Sequence, residues 1–178
     1  TGNNLMTLGV MTNRFSLGAM LRNWGLVYVG NFIGSIFVVF LVLNTGLYSG
    51  VIAEKAIAIA TAKASLSLGK VISRAILCNI LVVLAVWLAT GAKDITGKIF
   101  ACWFPITLFV VSGYEHSIAN MFFIPVGKYL GADLTWGQIW INNLIPVTIG
   151  NIIGGAIIIP TFYYLAYLKK ENETAKNA

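Results

Sequence analysis

Apolar residues in this chain come in long uninterrupted blocks, with no alternation between apolar and polar. No Asp, Glu, Lys or Arg occurs from Asn23 to Ala53, from Ala75 to Ala92, from Ile99 to Tyr114, or from Leu134 to Leu168. A helix needs about 20 consecutive apolar residues to cross hydrocarbon. These blocks therefore predict spans over about 23–47, 71–90, 99–130 and 141–168. Only a helix satisfies its own backbone in lipid, and the alternating pattern of barrel strands is absent. The reading is an all-α membrane protein with a single transmembrane domain over residues 1–178.

The third block is irregular. Pro105 and Pro125 lie inside it, and Ser112-Gly113-Tyr114-Glu115-His116-Ser117 interrupts it with an acid and an imidazole. A straight helix from Ile99 to Leu130 would overshoot the bilayer. Two half-helices joined by a non-helical linker near 112–117 are expected, and such a linker is tolerated only when buried in protein or lining a cavity. Residues Thr1 to Phe15 are too short to cross alone and read as the second half of an interrupted helix. Lys63 falls in a loop between the first two complete spans, with a short Ala/Ile helix around Glu54 to Ala62.

Two of the spans carry similar text. Asn23-Trp-Gly-Leu-Val-Tyr-Val-Gly30-Asn31-Phe-Ile-Gly34-Ser35 resembles Asn143-Leu-Ile-Pro-Val-Thr-Ile-Gly150-Asn151-Ile-Ile-Gly154-Gly155, at a constant offset. Three crossings separate the two copies if the broken block crosses once. The copies then run in opposite directions, which is an inverted repeat with a site expected between halves at mid-membrane. Gly30-x-x-x-Gly34 and Gly150-x-x-x-Gly154 permit close helix approach. The amides Asn31, Asn79 and Asn151 require either a partner on another helix or a polar passage. The opening Thr1-Gly2-Asn3-Asn4 carries neither Met nor a targeting signal, so residues before Thr1 are expected.

Composition narrows the function classes. Only 10% of residues are charged, against about 25% in soluble domains. The net charge of +6 is scattered, with Lys169-Lys170 as its nearest approach to a cluster. That pair reads as a headgroup anchor for a helix in the lipid bilayer and not as a nucleic-acid patch. Cys78, Cys102 and one His offer neither a disulfide framework nor a metal-ligand set. No cofactor is expected, and no Gly-x-Ser-x-Gly motif, carboxylate pair or clustered ligand set suggests an enzyme.

Glu115-His116 is the sharpest chemical signal, because ionisable residues inside a membrane span mark functional sites by default. A helix restarting after the break would point its positive N-terminal end at the cavity, where His116 can hydrogen-bond an anion and change charge near neutral pH. Glu115 would repel an anion and is read, with Gly113, as structural at the break. Lys63 is either a surface lysine or a vestibule cation that concentrates anions. Phe109, one turn before the break, is placed to narrow a pore or to pack.

Gly113-Tyr-Glu-His-Ser-Ile-Ala-Asn-Met-Phe-Phe-Ile-Pro125 resembles a signature of the formate/nitrite transporter family, and Asn143 to Gly155 resembles a second one. The resemblance implies an aquaporin-like inverted-repeat helical bundle with broken helices, of which this chain lacks the first helix and a half. It also implies a homopentamer in the bacterial inner (plasma) membrane, with one pore per protomer for small monovalent weak-acid anions. By the same resemblance His116 matches the central pore histidine and Thr1 the threonine facing it. Lys63 matches a vestibule lysine, Asn79 and Asn151 pore amides, and Phe109 an aromatic constriction. The chain looks most similar to the hydrosulfide channel subgroup, with formate and nitrite as the other candidate anions. The alternative is an aquaporin-like channel for small neutral solutes, although the paired Asn-Pro-Ala motifs of that class are absent.

Overall fold

Helix ends in this protein are set by residues that satisfy the last backbone groups. The computed structural model describes residues 2–169. A 3-10 turn (Gly2–Leu5) leads into α1 (Met6–Met11), followed by α2 (Leu17–Asn44), α3 (Gly50–Ala64) and α4 (Leu68–Gly91). Then come α5 (Ile95–Val111), α6 (Ser117–Tyr129) and α7 (Trp136–Leu168). The Asp94 carboxylate accepts the Gly97 N–H at 2.8 Å to start α5. At the start of α7, Thr135 Oγ1 accepts from the Gln138 N–H at 3.2 Å while Gln138 Oε1 accepts from the Thr135 N–H at 2.7 Å, a reciprocal cap. Helices α1, α5 and α6 each stop at a left-handed residue, Asn13, Gly113 and Gly131. In each case that residue and the next donate back to the last turn.

Helix ends differ from the charge-free blocks at several points. α2 starts at Leu17 because Ser16 Oγ accepts the Ala19 N–H at 3.2 Å. Arg22 therefore lies within the helix, where a long side chain can carry its charge away from the apolar stretch. α3 runs through Lys63 to Ala64, and a cation in the last turn suits the helix dipole. α7 is continuous but widens to π turns at Ile139–Leu144, Ile153–Ile158 and Tyr164–Leu168. The first two precede Pro146 and Pro160, whose rings crowd the carbonyl four residues back and donate no hydrogen bond. A wider turn relieves that crowding.

By length and composition, α2, α4 and α7 can each cross a membrane. α5 and α6 are shorter and follow one another across the break. The chain divides into two compact units.

Of the described residues, one unit comprises 2–24, Ile76–Tyr114 and 150–169. Here a Cβ on Gly154 would collide with the Ile76 carbonyl, and one on Gly155 would lie 2.6 Å from Asn4 Nδ2 and 3.0 Å from Val83 Cγ2. α7 therefore meets α4 at backbone distance. Asn23 Nδ2 donates to Asn3 Oδ1 at 3.0 Å, and the Trp24 indole N–H donates to Asn3 O at 2.9 Å. Trp87 stacks on Tyr163 with ring centres 4.2 Å apart.

The other unit comprises Gly25–Ala75 and Glu115–Ile149. Its core joins Ala60, Ala64, Met121, Ile124, Ile139 and Leu144, flanked by Phe32, Trp136 and Trp140. α3 and α6 touch closely, since a Cβ on Gly127 would strike Ala60 Cβ and sit 2.7 Å from Ala56 O. Tyr28 packs on Trp140, while Phe32, one turn further along α2, packs on both Trp136 and Trp140. Tyr28 also reaches Thr148. Advancing along α2 thus means retreating along α7, so these two repeat-bearing segments run antiparallel.

Candidate functional site

The break in the third apolar block is built by local backbone chemistry. Gly113 takes φ +66°, a left-handed conformation that costs glycine little. Its N–H donates to Val110 O at 3.1 Å, and the Tyr114 N–H donates to Phe109 O at 3.0 Å. These bonds satisfy the last carbonyls of α5 and end it. α6 restarts at Ser117 with His116 as its N-terminal cap. His116 Nδ1 accepts the Ala119 N–H at 3.3 Å. A nitrogen that accepts a hydrogen bond carries no hydrogen, so the neutral ring bears its proton on Nε2.

Glu115, one residue earlier, is 1% exposed. A bare carboxylate buried to that degree is strongly disfavoured unless paired and hydrogen-bonded. The unit supplies partners from three other places in the sequence. Lys63 Nζ lies 2.9 Å from Oε1. Asn120 Nδ2 donates to Oε2 at 2.6 Å, and Asn143 Nδ2 approaches the same oxygen at 3.3 Å. The two amides are linked by Asn120 Nδ2 to Asn143 Oδ1 at 2.8 Å, and Asn143 Nδ2 also donates to Lys63 O at 3.0 Å. α3, the break, α6 and α7 are thereby tied at one charged point, immediately beside the imidazole.

Asn79, Asn151 and Phe109 fall in the other unit. Asn79 Nδ2 donates to Asn151 O at 2.9 Å, and both residues are buried. Phe109 is half-buried in the last turns of α5. Thr1 lies outside the described residues. Asn120 and Asn143 were not singled out as candidate site residues from sequence. Both lie inside the quoted signatures, and Asn143 matches Asn23 in the repeat, but an amide in an apolar helix does not announce a carboxylate partner many residues away. Among the described residues no group of three His, Cys, Asp or Glu side chains is placed to hold a metal ion.

Membrane-crossing helices, a helix broken around an ionisable pair, and a buried charge network behind the imidazole define the class of a small-solute channel or transporter. The comparisons with known proteins make that class specific. The family model described as formate/nitrite transporter matches residues 1–165, and the chain belongs to this family. It is 46% identical to a probable formate transporter of Methanothermobacter thermautotrophicus over 96% of this chain and 68% of that protein. Among solved structures it resembles a pentameric formate channel with formate bound (37% identity, TM-score 0.78, 84% of this chain and 67% of that one). A second is an ion channel of the same family (33% identity, TM-score 0.84, 92% and 67%). The chain thus spans about two thirds of the length of these relatives. The fold is that of an integral membrane protein of this family.

Proposed function

We propose that the full-length protein conducts small monovalent weak acids, with formate the first to test because the named relatives are formate channels and transporters. The carrying observation is the His116 ring, fixed as the cap of a restarting half-helix with its hydrogen on Nε2. A ring so held presents a donor, and the helix end behind it favours negative charge. Hydrosulfide and nitrite are finer alternatives for the same chemistry, and nothing in the comparisons favours hydrosulfide. The reading as a neutral-solute channel of the aquaporin class finds no support among the relatives.

The lysine is reassigned within this proposal. A vestibule cation attracts anions only while its charge is uncompensated, and Lys63 is neutralised by Glu115 at 2.9 Å. Its role is to hold Glu115, and through it the break that places His116. Pore roles for Thr1, Asn79, Asn151 and Phe109 rest on the family resemblance, as do assembly as a homopentamer and the bacterial inner membrane, while proton-linked passage is the proposal for His116, whose ring can give or take a proton.

Flux of formate, nitrite and hydrosulfide into proteoliposomes of the full-length protein, measured across pH, is the test. Replacing His116 with Phe should cut flux at least tenfold and flatten its pH dependence. Unchanged flux at every pH removes the imidazole from the mechanism.

A further inference from the structure

α7 carries two stripes of contact residues, each spaced in steps of four. The first holds Trp136, Trp140 and Thr148 and faces α2: Phe32 packs on both tryptophans, and Tyr28 packs on Trp140 and reaches Thr148. The second holds Ile139, Asn143 and Val147, all buried. Ile139 enters the core with Ala60 and Met121, Asn143 enters the Glu115 network, and Val147 clusters with Val71 and Ala75. A regular α-helix turns about 100° per residue, so each step of four advances about 40°. Between Trp136 and Thr148 the first stripe would drift by about 120° and carry Thr148 off α2. Both ends stay on α2 because Ile139–Leu144 is a π turn, in which the Ile145 N–H donates to Trp140 O, five residues back. The extra residue in that turn takes back about 100°. The matched stretch of α2 is regular α-helix, and it has Leu26 where α7 has Pro146.

We propose that Pro146 is a positioning residue for the helix break. It has no N–H to give Asn142 O, and its ring crowds that carbonyl, so a regular α-turn is disfavoured where the extra residue sits. The π turn held open in this way lets α7 satisfy two neighbours at once. Asn143 meets Glu115, Asn120 and Lys63 O, while Tyr28 keeps both Trp140 and Thr148. With alanine at 146 the turn can close with one more hydrogen bond, and the helix on its two sides then rotates by about 100° relative to itself. Either Asn143 leaves the acid or Thr148 leaves the tyrosine. In the first case Glu115, the residue next to His116, loses a donor from α7. The register of α7 is a property of the fold, and only its effect on flux rests on the proposed role of His116.

The test measures melting temperature and formate flux of the full-length protein. Pro146→Ala should lower the melting temperature by about 5 °C or more. Deletion of Ile141, which is 69% exposed, removes the extra residue with little loss of packing and should do the same. The two changes together make a regular α-turn with both parts of α7 back in phase, and should recover at least half of the loss. In the Pro146→Ala protein, Asn143→Leu or Tyr28→Phe should cost less than half of what it costs in the parent, because one of the two contacts is already gone. A proline that is merely structural would leave both costs intact, and that result overturns the proposal. So does parental behaviour of either single change, or a combined variant no better than the worse single. Where Pro146→Ala yields no folded protein, recovery in the combined variant decides. Formate flux should follow the order of the melting temperatures; if the melting temperatures recover and flux does not, the role of His116 has failed and the register stands.

Discussion

The hydroxyls of Tyr28 and Thr148 are 2.9 Å apart, and the two residues are separated by 120 positions, so they occupy the same place in the two copies of the repeat. Matched positions that touch one another belong beside the axis that relates them. This contact therefore sets the two matched positions face to face on the antiparallel segments of α2 and α7. Thr148 Oγ1 also donates to Leu144 O at 2.6 Å, which leaves its lone pairs to accept the tyrosine proton. Tyr28→Phe and Thr148→Val should each lower stability by about 0.5–1.5 kcal/mol. The double variant should be no worse than the weaker single, giving a coupling of about 1 kcal/mol. Thermal melts of the detergent-solubilised protein, with all four members of the cycle, read this out.

Removing one partner of the Lys63–Glu115 pair leaves the other charge buried. Lys63→Met or Glu115→Gln alone should cost about 3–5 kcal/mol. The combined Lys63→Met/Glu115→Gln protein, with no unpaired charge, should recover part of that loss in melting temperature. A double variant less stable than either single would mean that the ion pair is not what holds the break together.

Asn143 closes the network from α7. An Asn143→Leu substitution removes the donor to Lys63 O and to Glu115 Oε2 and the acceptor for Asn120 Nδ2. Buried groups left without partners cost about 1–3 kcal/mol each, so melting temperature should fall markedly. Formate flux should fall with it, through loss of the geometry that holds His116. Asn143→Asp keeps the volume and the acceptor but places a second carboxylate against Glu115, and should be no better tolerated at neutral pH.

Two glycines fail for different reasons when substituted. Gly113 has open space around its Cβ position but a left-handed backbone, so Gly113→Ala should cost about 1 kcal/mol and Gly113→Asn less. Gly127 has ordinary helical geometry, but its Cβ position is occupied by Ala60 and the Ala56 carbonyl. Gly127→Ala must push α3 away from α6 and should cost about 1–3 kcal/mol. Melting temperatures test the distinction: Asn should be better tolerated than Ala at Gly113 and worse than Ala at Gly127, and the same order at both positions would contradict it.

Much of this architecture is written locally. The charge-free blocks, the Gly113 stop and the Asp94 and Thr135 starts are properties of neighbouring residues, so helix content and the break between α5 and α6 can be read along the chain. Glu115 and His116 stand out for the same reason, as ionisable groups within an apolar stretch. The exact helix ends were less legible, because Ser16 caps α2 ahead of a charge that the helix then carries at Arg22.

The amino-acid sequence alone determined that this is a helical membrane protein with a repeated segment and one helix split around an acid and an imidazole, because hydrophobic runs and turn-forming residues act over a few positions. Tertiary structure decided who answers the buried acid: Lys63 from 52 residues before it and Asn143 from 28 after. It also decided that the second copy of the glycine motif is clasped by α4, whose Ile76 carbonyl lies against Gly154. A glycine permits close approach without naming the helix that makes it. Those choices follow from which helices the folded chain brings side by side.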